Sequence, residues 1–185
     1  MTIALLDVHY NGAGARAACV LAQSWQSESP DSTYVRDIAE VEPYEPGQFF
    51  RRELPCLLSV LRVLPSSPAV LVVDGYVWLS PAYRPGLGAY LYEALGRATP
   101  VVGIAKTRFA GVACCESLVR VFRGASRKPL FVTAAGLEAR AAGQCVRQMA
   151  GSHRIPELMR IADQLSRGKV AANLPFATVA SAAGG

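Results

Sequence analysis

The chain has no Cys-x-x-Cys pair and only two histidines, His9 and His153, so a His-rich zinc site is not available. Its five cysteines, Cys19, Cys56, Cys114, Cys115 and Cys145, are odd in number, and Cys19, Cys56 and Cys145 sit in apolar contexts. That pattern reads as reduced, buried thiols of a cytosolic protein rather than a disulfide framework. Long apolar runs are missing too. Stretches such as Ala69 to Val73 are far too short to cross a bilayer, so no membrane partner is expected. Met1 to Leu6 lack a basic leader and run straight into Asp7, which argues against a secretory signal and for a cytoplasmic protein. Disorder is excluded, because 51% of the 185 residues are hydrophobic and the net charge is only +5. A chain of this length can bury its own core without staples, and the expectation is one domain over 1–170 with an Ala/Ser/Gly-rich tail over 171–185.

Charge is unevenly placed. Up to residue 96 there are six basic and ten acidic residues, and from Arg97 onward thirteen basic and four acidic. The basic half, with Arg120, Arg123, Arg127, Lys128, Arg140, Arg147, Arg154, Arg160 and Arg167, reads either as a face for phosphate or as an ordinary solvated surface.

The apolar pattern predicts three strands, Thr2–Val8, Ala17–Trp25 and Thr33–Val41, joined by short turns as an antiparallel meander. Leu54, Leu57, Leu58 and Leu61 then recur at helical spacing, and Pro55 places the start of that helix near Arg52 or Glu53. Ala69 to Val73 reads as a central strand buried on both faces and ends at Asp74-Gly75. A helix around Leu87–Leu95 and a short strand from Pro100 to Ala105 follow. After them come a hairpin turning at Gly124–Lys128 and two helices, one lined by Leu137, Ala141, Cys145 and Met149 and the other by Ile155, Leu158, Met159, Ala162 and Leu165. Three antiparallel strands followed by alternating helices and strands describe an α/β fold with a mixed sheet, the element order of the ribonuclease-H-like arrangement.

Asp7 ends the apolar part of the first strand, and Asp74 ends the most buried one. If those strands are neighbours, the two carboxylates meet at the edge where open α/β sheets place their sites. Unpaired carboxylates so close repel, and a hard dication resolves the conflict. Oxygen ligands favour Mg²⁺, with Mn²⁺ able to substitute. Glu53 is the natural third acid, and such a cluster suits phosphodiester cleavage. Each acid also has a plain structural role open to it: Asp7 and Asp74 as turn caps, Glu53 as a favourable charge at a helix N-terminus.

Five blocks carry a specific resemblance. Asp7-Val8-His9-Tyr10 resembles the Asp-x-x-Tyr segment of the endonuclease V family. Pro43-Tyr44-Glu45-Pro46-Gly47 with Phe50-Arg51-Arg52-Glu53 is similar to its Pro-Tyr-x-Pro-Gly and Phe-Arg-Glu block, with one residue inserted or shifted. Val73-Asp74-Gly75 and Pro100 to Lys106 resemble its Val-Asp-Gly and Pro-Thr-Ile-Gly-Val-Ala-Lys. Arg154-Ile155-Pro156-Glu157 with Arg160-Ile161-Ala162-Asp163 resembles its closing Arg-x-Pro-Glu and Arg-x-Ala-Asp helix. The blocks stand in family order.

The resemblance implies a Mg²⁺-dependent endonuclease acting on DNA or RNA. It would cut 3′ to a deaminated purine, chiefly inosine, one nucleotide beyond the lesion, as in nucleic-acid repair, with no obligate protein partner. Carried over, Asp7, Glu53 and Asp74 would hold metal and Lys106 would neutralise charge at the scissile phosphate. Tyr44 and Pro46 would form a strand-separating wedge, and Gly75 and Tyr76 would border the base.

The chain also departs from the family. After Asp74-Gly75 it reads Tyr76-Val77-Trp78-Leu79-Ser80-Pro81-Ala82-Tyr83-Arg84 where the family has a glycine-containing loop and His-Pro-Arg; the aromatics would crowd the base or build a different, aromatic-walled pocket. Ala135-Gly136-Leu137 stands where the family carries Pro-Gly-His or an acid, which predicts weaker metal binding or a slower rate. The N-terminal extension common in the family is missing as well. Two alternatives follow: a catalytically impaired, endonuclease V-like nucleic-acid-binding protein with altered specificity, and an interaction surface built from Tyr76, Trp78, Tyr83 and Tyr90.

Overall fold

The computed structural model describes residues 1–43, 45, 47–109 and 117–170. Seven strands form one mixed sheet in the order β3-β2-β1-β4-β5-β7-β6. The first three, β1 (Ile3–Asn11), β2 (Gly14–Ala22) and β3 (Ser32–Ile38), make the antiparallel meander read from the sequence. β4 (Val70–Asp74) and β5 (Val101–Ala105) add on in parallel to β1. β7 (Leu130–Ala135) returns antiparallel to β5, with β6 (Val119–Val121) hairpinned at its edge. This is the ribonuclease-H-like mixed sheet expected.

Alternation along the strands sorts the core into two layers. Ile3, Leu5, Val70, Val72, Val102 and Ile104 face α3 (Ala139–Gln148) and α4 (Glu157–Ser166). Ala4, Leu6, Leu71, Val73 and Val101 face α1 (Phe49–Leu61) and α2 (Leu87–Ala94). Strands covered on both sides need apolar residues at every position, which is why β4 and β5 read as unbroken runs. Among the described residues no helix is long and apolar enough to cross a membrane.

Three expectations need correction. α1 starts at Phe49, ahead of the Arg52 or Glu53 expected from Pro55, so the proline lies inside the helix. The extra turn is held by tertiary contact: Phe50 stacks on Tyr90 at 3.7 Å and Phe49 meets Tyr10 edge-on. Of the row expected to line α3, Met149 is buried and Leu137 and Cys145 pack partly against the core, but Ala141 is exposed; the buried face centres on Ala142, Gly143 and Val146, because a glycine lets the helix approach Val119 so closely that a Cβ there would sit 2.6 Å from its methyl. Arg123 belongs to no basic face. It is 6% exposed, and its guanidinium donates to the carbonyls of Met149, Ala150 and Gly151 at the end of α3, where positive charge is favoured. The tail 171–185 lies outside the described residues.

Candidate active site

Strand register brings the two aspartates together. β1 and β4 run parallel with Leu6 opposite Val73, so Asp7 and Asp74 stand side by side one residue further on, Asp74 as the last residue of β4 and Asp7 midway along β1, just past the stretch paired to β4. Alternation turns both toward the α4 side. Glu53 comes from the opposite side, in the second turn of α1. It is 6% exposed, which rules out the role of a solvent-facing helix-start charge.

The three acids feel one another. Burial, with repulsion from Asp7 and Asp74, pushes the Glu53 carboxyl up to about 8. Burial, opposed by a Ser166 hydrogen bond and reinforced by Asp74 and Asp163, pushes Asp7 up to about 6. The Lys106 ammonium, just past the end of β5, lies 2.5 Å from Asp74 Oδ2. The Ser166 hydroxyl, on α4, reaches both Asp7 Oδ2 and, at 2.9 Å, the Asp163 carbonyl. Arg154 donates to the carbonyls of Lys106 and, at 2.8 Å, Pro129, fixing the backbone that carries the lysine.

Among the described residues no three His, Cys, Asp or Glu side chains are close enough to cage a metal ion as they stand, with Asp7 turned to Ser166 and Asp74 to Lys106. The donor set nevertheless fits a hard dication. Its oxygens are carboxylates under mutual repulsion, and Glu53 Oε2 is buried with no hydrogen-bond partner.

Next to Asp74 a cleft of about 370 Å³ opens between the N-terminal turn of α1, α2 and the segment after β4. Of the two outcomes expected for the altered loop, the structure adopts the aromatic-walled pocket. Tyr76 lines it, and Gly75, at φ +145°, leaves open the space a side chain would fill. Tyr44 and Pro46 lie outside the described residues.

The departure at Leu137 does not touch the acids. β7 runs antiparallel to β5, so Ala135 pairs with Val101 while Asp74 pairs with Ile104. Three residues of strand, roughly 10 Å, separate those levels, and Leu137 lies beyond Ala135. The acid that sequence reasoning gave no site role is Asp163. Arg160, three residues before it, pairs with Glu157, and Asp163 faces Arg167 and Asp7. The usable signal was Asp163 and Ser166 at i, i+3 on the buried side of α4. Nor do the four rings form one exposed patch. Tyr76 is buried, the Trp78 indole donates to the Ala134 carbonyl and Tyr90 stacks on Phe50, which leaves Tyr83 outward.

A ribonuclease-H-like sheet with carboxylates side by side on its two central parallel strands, and a lysine just past the next strand, defines a class of acid-site α/β proteins. Within it the chain belongs to the endonuclease V family, whose model, Endonuclease V, matches residues 1–164. It is 32% identical to the endonuclease V of Streptomyces coelicolor over 173 residues, covering 83% of this chain and 71% of that one. It is 37% identical to the endonuclease V of Xanthomonas oryzae over 101 residues, 55% of this chain but only 41% of that protein's length. Its fold matches that of Ciona intestinalis endonuclease V, solved with a 24mer DNA containing an inosine followed by a ribo-adenosine, with a TM-score of 0.75 at 20% identity, covering 91% and 84% of the two chains.

Proposed function

We propose that the chain is a Mg²⁺-dependent endonuclease, with Mn²⁺ able to substitute, that hydrolyses a phosphodiester bond 3′ to a deaminated purine in DNA or RNA. The observation that carries this reading is the orphaned, buried Glu53 Oε2 held beside two further carboxylates at one sheet edge. Asp7, Glu53 and Asp74 would hold the cation, and Asp163 is placed to add negative charge behind Asp7. A bound dication would supply Lewis acidity, making water a better nucleophile and offsetting charge on the leaving oxygen. The chain's own residues do the rest. Ser166 orients the Asp7 carboxylate, and Lys106, held in place by Arg154, offers a fixed positive charge to the phosphate. Tyr44 and Pro46 keep the wedge role that the resemblance implies. Family membership and the inosine-containing DNA bound by the Ciona protein support a nuclease for deaminated nucleic acid. The silent-binder alternative rested on Leu137 and the altered loop. Leu137 sits at the far edge, and the loop shapes the cleft rather than the acids.

The test is nicking of inosine-containing DNA and RNA with Mg²⁺ or Mn²⁺. Product should appear with the wild-type chain and vanish in Asp74→Ala, and Lys106→Ala should slow it by roughly 10²–10³-fold. Cleavage that survives Asp74→Ala would overturn the assignment.

A further inference from the structure

Tyr10 closes the Asp7-Val8-His9-Tyr10 block and takes no part in the site described so far. Asp7 faces the α4 side of the sheet. Three residues further along β1, alternation turns Tyr10 to the other side, where it packs in the α1 and α2 layer from which Glu53 enters. Its ring is gripped twice. Phe49 meets it edge-on with centres 6.5 Å apart, and the central carbon of the Arg52 guanidinium lies 4.3 Å from the ring centre. A ring held in this way fixes the direction of its C–O bond and leaves only the hydroxyl proton free to rotate.

Yet that hydroxyl bonds to nothing. Tyr10 Oη is a buried oxygen without a hydrogen-bond partner, and so is Glu53 Oε2. The two groups feel one another: burial first, then the charges of Glu53 and Cys56, hold the Tyr10 phenol above its ordinary value, so it keeps its proton. The other groups around them are engaged. The Cys56 thiol donates to the Arg52 carbonyl at 3.2 Å, and the Arg52 guanidinium, whose Nε also lacks a partner, lies against the ring face. An unused donor and an unused acceptor therefore share one buried place, and each costs stability while it stays unpaired. Carboxylates that ligate a metal are themselves held by hydrogen bonds. We infer that Tyr10 is a positioning residue for Glu53: its hydroxyl donates to Glu53 Oε2 when Glu53 serves as a metal ligand, leaving the second carboxylate oxygen to the cation. This rests on the metal reading above and deepens it, because a group outside the acids then sets the affinity for the ion.

The test is Mn²⁺ binding to the whole chain without nucleic acid, followed by loss of the electron paramagnetic resonance signal of free Mn²⁺. Tyr10→Phe keeps the ring, its contact with Phe49 and its face toward Arg52, and removes the hydroxyl alone. It should weaken Mn²⁺ binding roughly tenfold or more. The metal-free variant, melted in EDTA, should hold to at least the wild-type temperature, because the lost hydroxyl had no partner. A hydroxyl with a purely structural role would give the reverse: a lower melting temperature and unchanged affinity. An affinity loss smaller than about tenfold, or a metal-free variant that melts lower, overturns the inference and leaves the metal reading standing. A wild-type chain that takes up no Mn²⁺, or that binds it equally well after Asp74→Ala, overturns the metal reading and the inference together.

Discussion

Glu53 is a buried carboxyl with an oxygen that bonds to nothing, and such a group costs stability whenever it is charged. An acid that is harder to ionise in the folded chain than in the unfolded one favours folding while protonated and loses that contribution as pH rises. Asp7 spans 3.8 to about 6 and Glu53 spans 4.5 to about 8. So far as these two acids decide it, the metal-free protein should therefore be most stable below about pH 4 and melt progressively lower from there toward pH 8. Mg²⁺ should raise the melting temperature mainly at the alkaline end, where both carboxyls are ionised. Scanning calorimetry across pH, with and without Mg²⁺, reads both effects. Asp7, Asp74 and Lys106 were legible in the sequence because each ends a short apolar run. Asp163 was not: its distance from Asp7 along the chain is bridged only by the docking of α4.

At the scale of elements, apolar period and turn residues were enough to order all eleven, because each strand or helix carries its own pattern. Direction was harder. Nothing local says that β7 runs against β5, and that single reversal moved Leu137 from the expected site to the far edge. The start of α1 was missed because local propensity stops at Pro55, whereas the stacking of Phe50 on Tyr90 extends the helix past it. Pro55 is exposed and leaves the Arg51 carbonyl without its helical donor, so Pro55→Ala should stabilise the chain by about 1–3 kcal/mol in urea titrations. Gly103 in β5 behaves oppositely. A Cβ there would meet the Gly75 carbonyl at 2.6 Å and the Val77 amide at 2.8 Å, and both belong to the segment that carries the cleft. Gly103→Ala should cost about 1–3 kcal/mol of stability in the same titrations.

Across the whole molecule, the basic half of the sequence divides between structure and surface. Arg123 and Arg154 are spent on backbone carbonyls inside the fold, and Arg160 and Arg167 are paired with acids on α4. These four of the thirteen basic residues from Arg97 onward are committed elsewhere, so the slope of log affinity for DNA against log salt should correspond to at most about nine phosphate contacts. The Ser166 hydroxyl touching Asp7 joins two residues 159 positions apart. A ribosome finishes the acidic strand β1 early and α4 only after the other ten elements. Until that last helix emerges and docks, Asp7 has no hydroxyl to orient it and no Asp163 behind it. On the proposed function, a half-made chain therefore carries the sheet with Asp7 unoriented, and any cutting waits until α4 has docked.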